Sequence, residues 1–308
     1  NGQGTFGTVQ EARSQSSSAP VAVKSIEKGQ KANLERGIKK IKQEIAVLEK
    51  LDHRHIVRLL AVYEDRKAVF LVMELCTGKS LLEALQESGP FAEPRAAVVM
   101  RQVFAAVCYM HDHGACHRDL KPENVIFSSP GPVESALLKV TDFGLSCAFI
   151  PGEVLRERVG TTKYAAPEVF RGSYDHLCDL WSCGVMLYEM LFGAAPYRCS
   201  AREEAELVEH VRMGRVALDH CEDWEKASSA VQDLIGRLLS VSPSARCTAE
   251  AALDDAWFRS LPAPEPRAKQ VEMDVSVGGL VGSLWQALLG GGCSCNAQQP
   301  EKELPLVW

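Results

Sequence analysis

The segment CHRDLKPEN at 116–124 puts an acid, a base and an amide into one short turn. Asp119 can accept the proton of an incoming hydroxyl. Lys121, two residues on, can neutralise charge on a transferring phosphoryl group, and Asn124 can offer an amide oxygen to a metal ion. TDFG at 141–144 adds Asp142, a hard oxygen ligand suited to Mg²⁺ bridging nucleotide phosphates. Any one of these fits an ordinary turn, whereas their order and spacing together point to phosphoryl transfer.

A second group lies at the start of the chain. GQGTFGTV follows G-x-G-x-x-G-x-V, with Gly2, Gly4, Gly7 and Val9 at the defining positions. Glycines let backbone N–H groups close over phosphates without Cβ clashes. A plain hairpin turn fits this stretch equally well, and no strand–helix unit of the dinucleotide-binding kind follows it. The next element reads as another strand, VAVK, ending in Lys24. Glu44 shares a helix face with Ile41, Ile45 and Leu48, and a carboxylate on an inward face needs a cation. Lys24 is the expected partner; a surface pair with Lys40 is the alternative.

The elements that must position these residues change character along the chain. Residues 1–75 read as strands around one helix: GTVQEARS and PVAVKSIEK alternate like antiparallel strands, as do RLLAVYED and AVFLVMEL around a polar turn. Between them, LERGIKKIKQEIAVLEKL spaces its apolar residues as an amphipathic helix. Beyond residue 78 helices dominate, as in EPRAAVVMRQVFAAVCYMHDHG and DLWSCGVMLYEMLFG. A net charge of −6 excludes general nucleic-acid binding and is compatible with basic peptides. The eleven cysteines are odd in number and form no CxxC pair, so they read as reduced thiols of an intracellular protein, cytoplasmic or nuclear. LPAPEPRAK at 261–269 reads as a Pro-rich linker, and the apolar part of the tail, 277–289, is too short for a membrane span. With no initiator Met, the chain reads as a fragment whose targeting or lipidation signals lie outside it.

Taken together these motifs resemble the eukaryotic-type protein kinases, whose signature set is a glycine loop, V-A-x-K, H-R-D, D-F-G and A-P-E. AAPE at 165–168, DLWSCG at 179–184 and Arg246 complete the likeness, which covers residues 1–258 and lacks only the first strand. The resemblance implies an α+β fold of two lobes: a β-rich N-lobe (1–75) with one helix, and a larger helical C-lobe (78–258). It implies ATP and Mg²⁺ as cofactors. Gly2, Gly4 and Gly7 would cover the phosphates, and Lys24, held by Glu44, would contact them. Val9, Ala22 and Ile126 would sandwich the adenine, with Met73 behind it and Glu74 and Cys76 as backbone hinge contacts. Asp119 would be the catalytic base, Lys121 would steady the γ-phosphate, and Asn124 and Asp142 would hold Mg²⁺. Arg246 would pair with Glu168, and Asp179 would brace the catalytic loop.

Lys121 in DLKPEN is the serine/threonine pattern, and IVRLLAVYED, LVMELCTG and VTDFGLSCAF most resemble the calcium/calmodulin-dependent branch, particularly the calcium-dependent kinases of plants and protists. No calcium-binding loop lies in the sequence, so a calcium sensor or a calmodulin-like partner would be supplied from outside it. Glu123 and Glu189 stand where kinases bind substrate arginines, while Ser80 replaces a frequent glutamate; a basic substrate preference is the expectation. Between D-F-G and A-P-E, Glu157 occupies a position that many kinases phosphorylate, so it is expected to pair with Arg118 and hold the loop active without phosphorylation. Its plainer reading is a carboxylate facing water. Thr161 is expected to bond Asp119 and Lys121, with Thr162 open as a modification site. Residues 259–308 read as a linker and an apolar Gly-rich tail, either a docked regulatory helix or a disordered end. The alternative to an active enzyme is a kinase-fold scaffold. Such proteins usually lose Lys24, Asp119 or Asp142, and all three are present here.

Overall fold

The structure is a computed structural model, and it describes residues 2–4, 7–15, 17–28, 34–197, 204–261 and 306–307. Backbone contacts divide the chain into two compact units. The smaller contains β1 (Gly2–Gly4), β2 (Gly7–Ser14), β3 (Pro20–Glu27), β4 (Leu59–Glu64) and β5 (Ala68–Glu74). Their order in the sheet is β1-β2-β3-β5-β4, all neighbours antiparallel, with β3 and β5 joined through α1 and β4 rather than by a hairpin. The turn between β4 and β5 is closed by Asp65, whose carboxylate accepts from the backbone N–H groups of Lys67 and Ala68 at 2.7 Å each.

Register assigns the two faces of this sheet. Ala12, Val21, Val23 and Val72 pack together on one face with Leu60, Ala61, Tyr63 and Phe70. Val9 stands opposite Lys24, Lys24 opposite Leu71, and Ala22 opposite Met73. Directly paired residues share a face and alternate residues return to it, so Val9, Ala22, Lys24 and Met73 line the other side together.

α1 (Leu34–Leu48) begins in the smaller unit, and from Lys42 onward it belongs to the larger one. The larger unit then comprises α2 (Leu81–Ser88), α3 (Glu93–Asp112), β6 (Ala115–Cys116), β7 (Val125–Phe127), β8 (Leu138–Val140), β9 (Cys147–Ala148), α4 (Pro167–Arg171), α5 (Cys178–Phe192), α6 (Glu204–Arg212), α7 (Ser229–Leu238), α8 (Ala249–Leu253) and α9 (Ala256–Ser260). α5 is buried almost throughout, which explains why DLWSCGVMLYEML is apolar on every side rather than on one stripe. Gly184 is required there: a Cβ on it would lie 2.8 Å from side-chain atoms of Leu238 and Leu239. α3 opens with Pro94 in its first turn and buries ten residues of its inward face. β6 pairs with β9 and β7 with β8, two short ladders that hold the segments carrying the chemistry.

β10 (Leu306–Val307) pairs antiparallel with β2 and belongs to the smaller unit. The tail helix anticipated at 277–289, and most of the linker before it, lie outside the described residues. Among the described residues no helix is long and apolar enough to cross a membrane.

Candidate active site

In the smaller unit, β1 and β2 form a hairpin with Gly4 opposite Gly7. Gly7 lies so close to β3 that a Cβ would meet the Ser25 carbonyl oxygen at 2.2 Å, so only glycine fits. Lys24 is buried, 3% exposed, on the face it shares with Val9, Ala22 and Met73. Glu74 ends β5, and its carboxylate accepts from the backbone N–H of Arg58 at 2.7 Å. In the larger unit Glu44 is likewise buried, 4% exposed, which places it on the inward side of α1 with Ile41, Ile45 and Leu48.

The segment after Cys76 is laid against β7. Thr77 and Gly78 donate from their backbone N–H groups to the carbonyls of Ser128 and Phe127 at 3.1 and 3.0 Å. A Cβ on Gly78 would stand 2.4 Å from the Phe127 oxygen. Ile126, half-buried, lies in the middle of β7. Ser80 has a structural task that its sequence comparison concealed. Its hydroxyl accepts from the Glu83 N–H at 3.2 Å while Glu83 accepts from the Ser80 N–H at 2.7 Å, the reciprocal cap that starts α2.

The catalytic loop leaves β6 at Cys116 and is set by two buried groups, Asp179 and His117. Asp179, wholly buried at the start of α5, accepts from the N–H groups of His117 and Arg118 at 2.9 and 2.8 Å and faces His111 Nε2 at 3.0 Å. Burial opposes its charge, but the hydrogen bond and charge of His111, with the His117 ring and amide, outweigh burial and hold its pKa at about 2. His117 accepts at Nδ1 from the Asp119 N–H at 3.2 Å, so its Nε2 carries the proton given to the Thr141 carbonyl at 3.0 Å. Its ring meets Phe143 edge-on at 4.9 Å. One imidazole therefore ties the Asp119 loop to the segment containing Asp142. Arg118 and Asp142 both have positive φ, 66° and 58°, conformations that non-glycine residues hold only when surroundings impose them.

Around Asp119 the side chains converge. Thr161 donates to Asp119 Oδ1 twice, from its backbone N–H at 2.8 Å and from its hydroxyl at 2.7 Å. Lys121 Nζ lies 2.9 Å from Asp119 Oδ2 and donates to the Thr161 hydroxyl at 2.8 Å. Asn124 Nδ2 donates to the Asp119 carbonyl at 2.8 Å. The Asn124 carbonyl in turn accepts from the N–H of Thr141 at 2.8 Å, the residue before Asp142. Gly160 makes the approach possible: at φ 103° it presses on the Arg118 carbonyl, and a Cβ would come within 2.5 Å of that oxygen. The structure thus brings Asp119, Lys121, Asn124 and Thr161 into one hydrogen-bonded cluster.

The loop that carries Thr161 is anchored at both ends. Arg118 Nη2 donates to Glu157 at 3.1 Å, Nε donates to the Leu145 carbonyl at 2.6 Å, and Nη1 meets the Tyr174 hydroxyl at 3.3 Å. That hydroxyl donates to the Glu157 carbonyl at 2.6 Å, so Tyr174, which sequence reading passed over, closes the arrangement. At the far end Glu168 and Arg246 form a buried two-point pair at 2.7 and 3.2 Å, and Arg246 also donates to the carbonyls of Leu177 and Ser240.

The family model described as protein kinase domain matches residues 2–258. The chain belongs to the protein kinase family. Its sheet unit and its helical unit are the two lobes of that fold. Among similar curated proteins are calcium-dependent protein kinase 3 of Plasmodium yoelii yoelii, 35% identical over 84% of this chain and 46% of its own length, and calcium-dependent protein kinase 9 of Oryza sativa subsp. japonica, 40% identical over 83% of this chain and 44% of its own. Calcium-dependent protein kinase 5 of Plasmodium falciparum is 35% identical over 84% of this chain and 44% of its own. The kinase chain therefore spans a little under half the length of these relatives.

Two candidate substrate carboxylates differ in state. Glu123 is exposed. Glu189 is half-buried in α5 and already accepts from Lys163 Nζ at 2.5 Å and from the Tyr164 hydroxyl at 2.6 Å. Burial, and then the Glu189 carboxylate, push the Tyr164 phenol well above its ordinary pKa, so it remains a donor.

Proposed function

We propose that this domain is an ATP-dependent protein serine/threonine kinase, transferring the γ-phosphate of ATP to Ser or Thr hydroxyls of protein substrates. The observation that carries this is the ordering of Asp119: Thr161 fixes Oδ1, and Lys121 sits beside Oδ2. A carboxylate held this way points one oxygen at an incoming hydroxyl and can take its proton. Lys121 then offers its charge to the transferring phosphoryl group. By the family likeness Gly2, Gly4, Gly7 and Lys24 would hold the phosphates, with Glu44 as the expected counter-charge of Lys24. Val9, Ala22, Met73, Ile126 and the backbone of Glu74 and Cys76 would receive the adenine.

Asn124 and Asp142 would hold Mg²⁺. Their amide and carboxylate oxygens are the hard donors this ion takes, and the Asn124 Nδ2 hydrogen bond to Asp119 leaves the amide oxygen as the ligand atom. When bound, Mg²⁺ neutralises charge developing on the phosphates.

We further propose that Glu157, paired with Arg118, keeps the loop ordered without phosphorylation. A basic-directed substrate preference rests first on exposed Glu123; at Glu189 a substrate cation would have to displace Lys163. The named calcium dependence of the relatives, which are longer, suggests a calcium-sensor segment or partner outside these residues. The eight described cysteines are free thiols, which suits a reducing compartment such as cytoplasm or nucleus. No observation favours the scaffold alternative. The test is Mg²⁺-dependent phosphate transfer from ATP to a basic peptide. Asp119→Ala and Lys24→Met should each abolish it, and transfer persisting in the Asp119 variant would overturn the site.

A further inference from the structure

Three thiols lie together beneath the catalytic loop, and the phosphotransfer chemistry uses none of them. Cys116 and Cys147 are direct partners across the β6–β9 ladder, so their side chains leave the same face. The Phe149 N–H bonds the Gly114 carbonyl two residues out along this ladder, which makes Cys116 and Cys147 a hydrogen-bonded pair by alternation. Such pairs hold their Cα atoms about 5.5 Å apart, within the range a disulfide spans, but their Cβ atoms are wider apart than the ~3.5–4.5 Å a disulfide needs, so closing the bond must pull the two strands together. The sulfur of Cys178 lies 3.7 Å from that of Cys116.

We propose that Cys147 and Cys116 form an oxidation-sensitive dithiol site, in which hydrogen peroxide joins them in a disulfide and suppresses phosphotransfer. In the first step the Cys147 thiolate attacks one peroxide oxygen. The S–O bond forms, the O–O bond breaks, and the leaving hydroxide takes a proton to become water. The sulfur of Cys116 then attacks the sulfenic sulfur of Cys147, expelling a second water as its own proton leaves. Two electrons pass from the two thiols to the peroxide, and a dithiol reductant returns them.

The roles within the pair follow from their surroundings. A hydrogen bond from Cys116 and the charge of Arg118 hold the Cys147 thiol below its ordinary pKa against the effect of burial, while burial pushes Cys116 well above its own. Cys147 is therefore the attacking thiolate and Cys116 the resolving thiol. Cys147 is itself buried at 5% exposure, with exposed Ala148 next to it, so peroxide must reach it by local opening of the β9 end. A metal ion is the poorer occupant of this cluster. Cys116, Cys178 and Asp179 lie close enough to share one, but both Asp179 oxygens already accept hydrogen bonds from the catalytic loop.

Oxidation would reach catalysis through the backbone. Cys116 immediately precedes His117 and Arg118, and Cys147 follows the Leu145 carbonyl to which Arg118 Nε donates. Drawing the two strands together shifts the loop that orients Asp119. Misplacement of that kind lowers turnover by about tenfold or more.

The activity readout rests on the kinase reading proposed above, whereas the covalent readout stands without it. The purified chain is treated with hydrogen peroxide, digested without reduction and mapped by mass spectrometry, with phosphotransfer measured in parallel. A linked Cys116–Cys147 peptide should accumulate as activity falls by about tenfold, and dithiothreitol should reverse both changes. Cys147→Ala should keep basal activity and resist peroxide. A principal link between Cys116 and Cys178, or no link involving Cys147, overturns the assignment in the wild-type protein, whatever the variant does. Equal peroxide sensitivity of Cys147→Ala overturns the control of turnover.

Discussion

Replacing Glu157 with alanine tests whether one fixed carboxylate does the work of a phosphorylated residue. Glu157 is half-exposed at 50%, whereas Arg118 is buried at 6%, and the two meet at 3.1 Å. Fully exposed pairs contribute at most about 1 kcal/mol and hydrogen bonds to charged groups about 1.5–3 kcal/mol. The half-exposed geometry lies between them, at about 1–1.5 kcal/mol. Arg118 keeps its bonds to Leu145 and Tyr174 in the variant, and the backbone bridge between Leu155 and Tyr174 at 2.7 and 3.1 Å remains, so the loop loosens without being lost. That energy corresponds to a loss of about fivefold to tenfold in the population of the ordered loop, and in kcat/KM for a peptide. Glu157→Gln, which retains an acceptor without the charge, should lose about half as much free energy. The gap between wild type and Glu157→Ala should narrow at high salt, because the pair is half in water. Initial rates at low and high salt, together with amide hydrogen exchange over residues 155–161, measure all of this. Unchanged kcat/KM with unchanged exchange in Glu157→Ala would show that the contact is incidental to loop order.

Two further predictions concern the catalytic loop. Thr161→Val removes the hydroxyl between Asp119 and Lys121 but keeps the backbone N–H bond, so kcat should fall by about tenfold to a hundredfold with little change in thermal stability. Thr161→Ser should restore most of the rate; a silent Thr161→Val in single-turnover measurements would refute the positioning role. Asp179 has a folded pKa of about 2 against an ordinary 3.8, so the stability it contributes is complete above about pH 4 and is lost as pH falls through about 2. The difference amounts to about 2 kcal/mol. Denaturant unfolding of Asp179→Asn across that range should lack this part of the acid dependence, and an unaltered slope would count against it.

Much of the scaffold could be read directly. GTVQEARS alternates in hydropathy and has Gly and Ser at its ends, and it is β2 from first residue to last. The apolar spacing of α1 put Glu44 on its inward side, and its burial follows from that spacing alone. What escaped were features set by partners distant in sequence. Tyr174 closes the Arg118–Glu157 contact from beyond the A-P-E segment, and nothing in its own neighbours announces this. The pairing of Glu189 with Lys163 required knowing that the loop turns back over α5. The positive φ angles of Arg118 and Asp142 fall on residues without glycine's freedom, so local propensity points the wrong way. Ser80 escaped for a local reason: S-x-x-E before an apolar run marks a helix start, but the residue was weighed only against the glutamate it replaces.

The dependence of the catalytic loop on Asp179 also bears on how the protein is made. The carboxylate that fixes the His117 and Arg118 amides comes 62 and 61 residues later in the chain. While the polypeptide is emerging from the ribosome, CHRDL is exposed well before the start of α5 has been synthesised. Until then the His117 and Arg118 amides lack their acceptor, and that loop closure must await the later segment. Catalytic competence therefore awaits synthesis of the start of α5, and a nascent chain stalled before Asp179 would carry every residue of the catalytic motif in an unset loop.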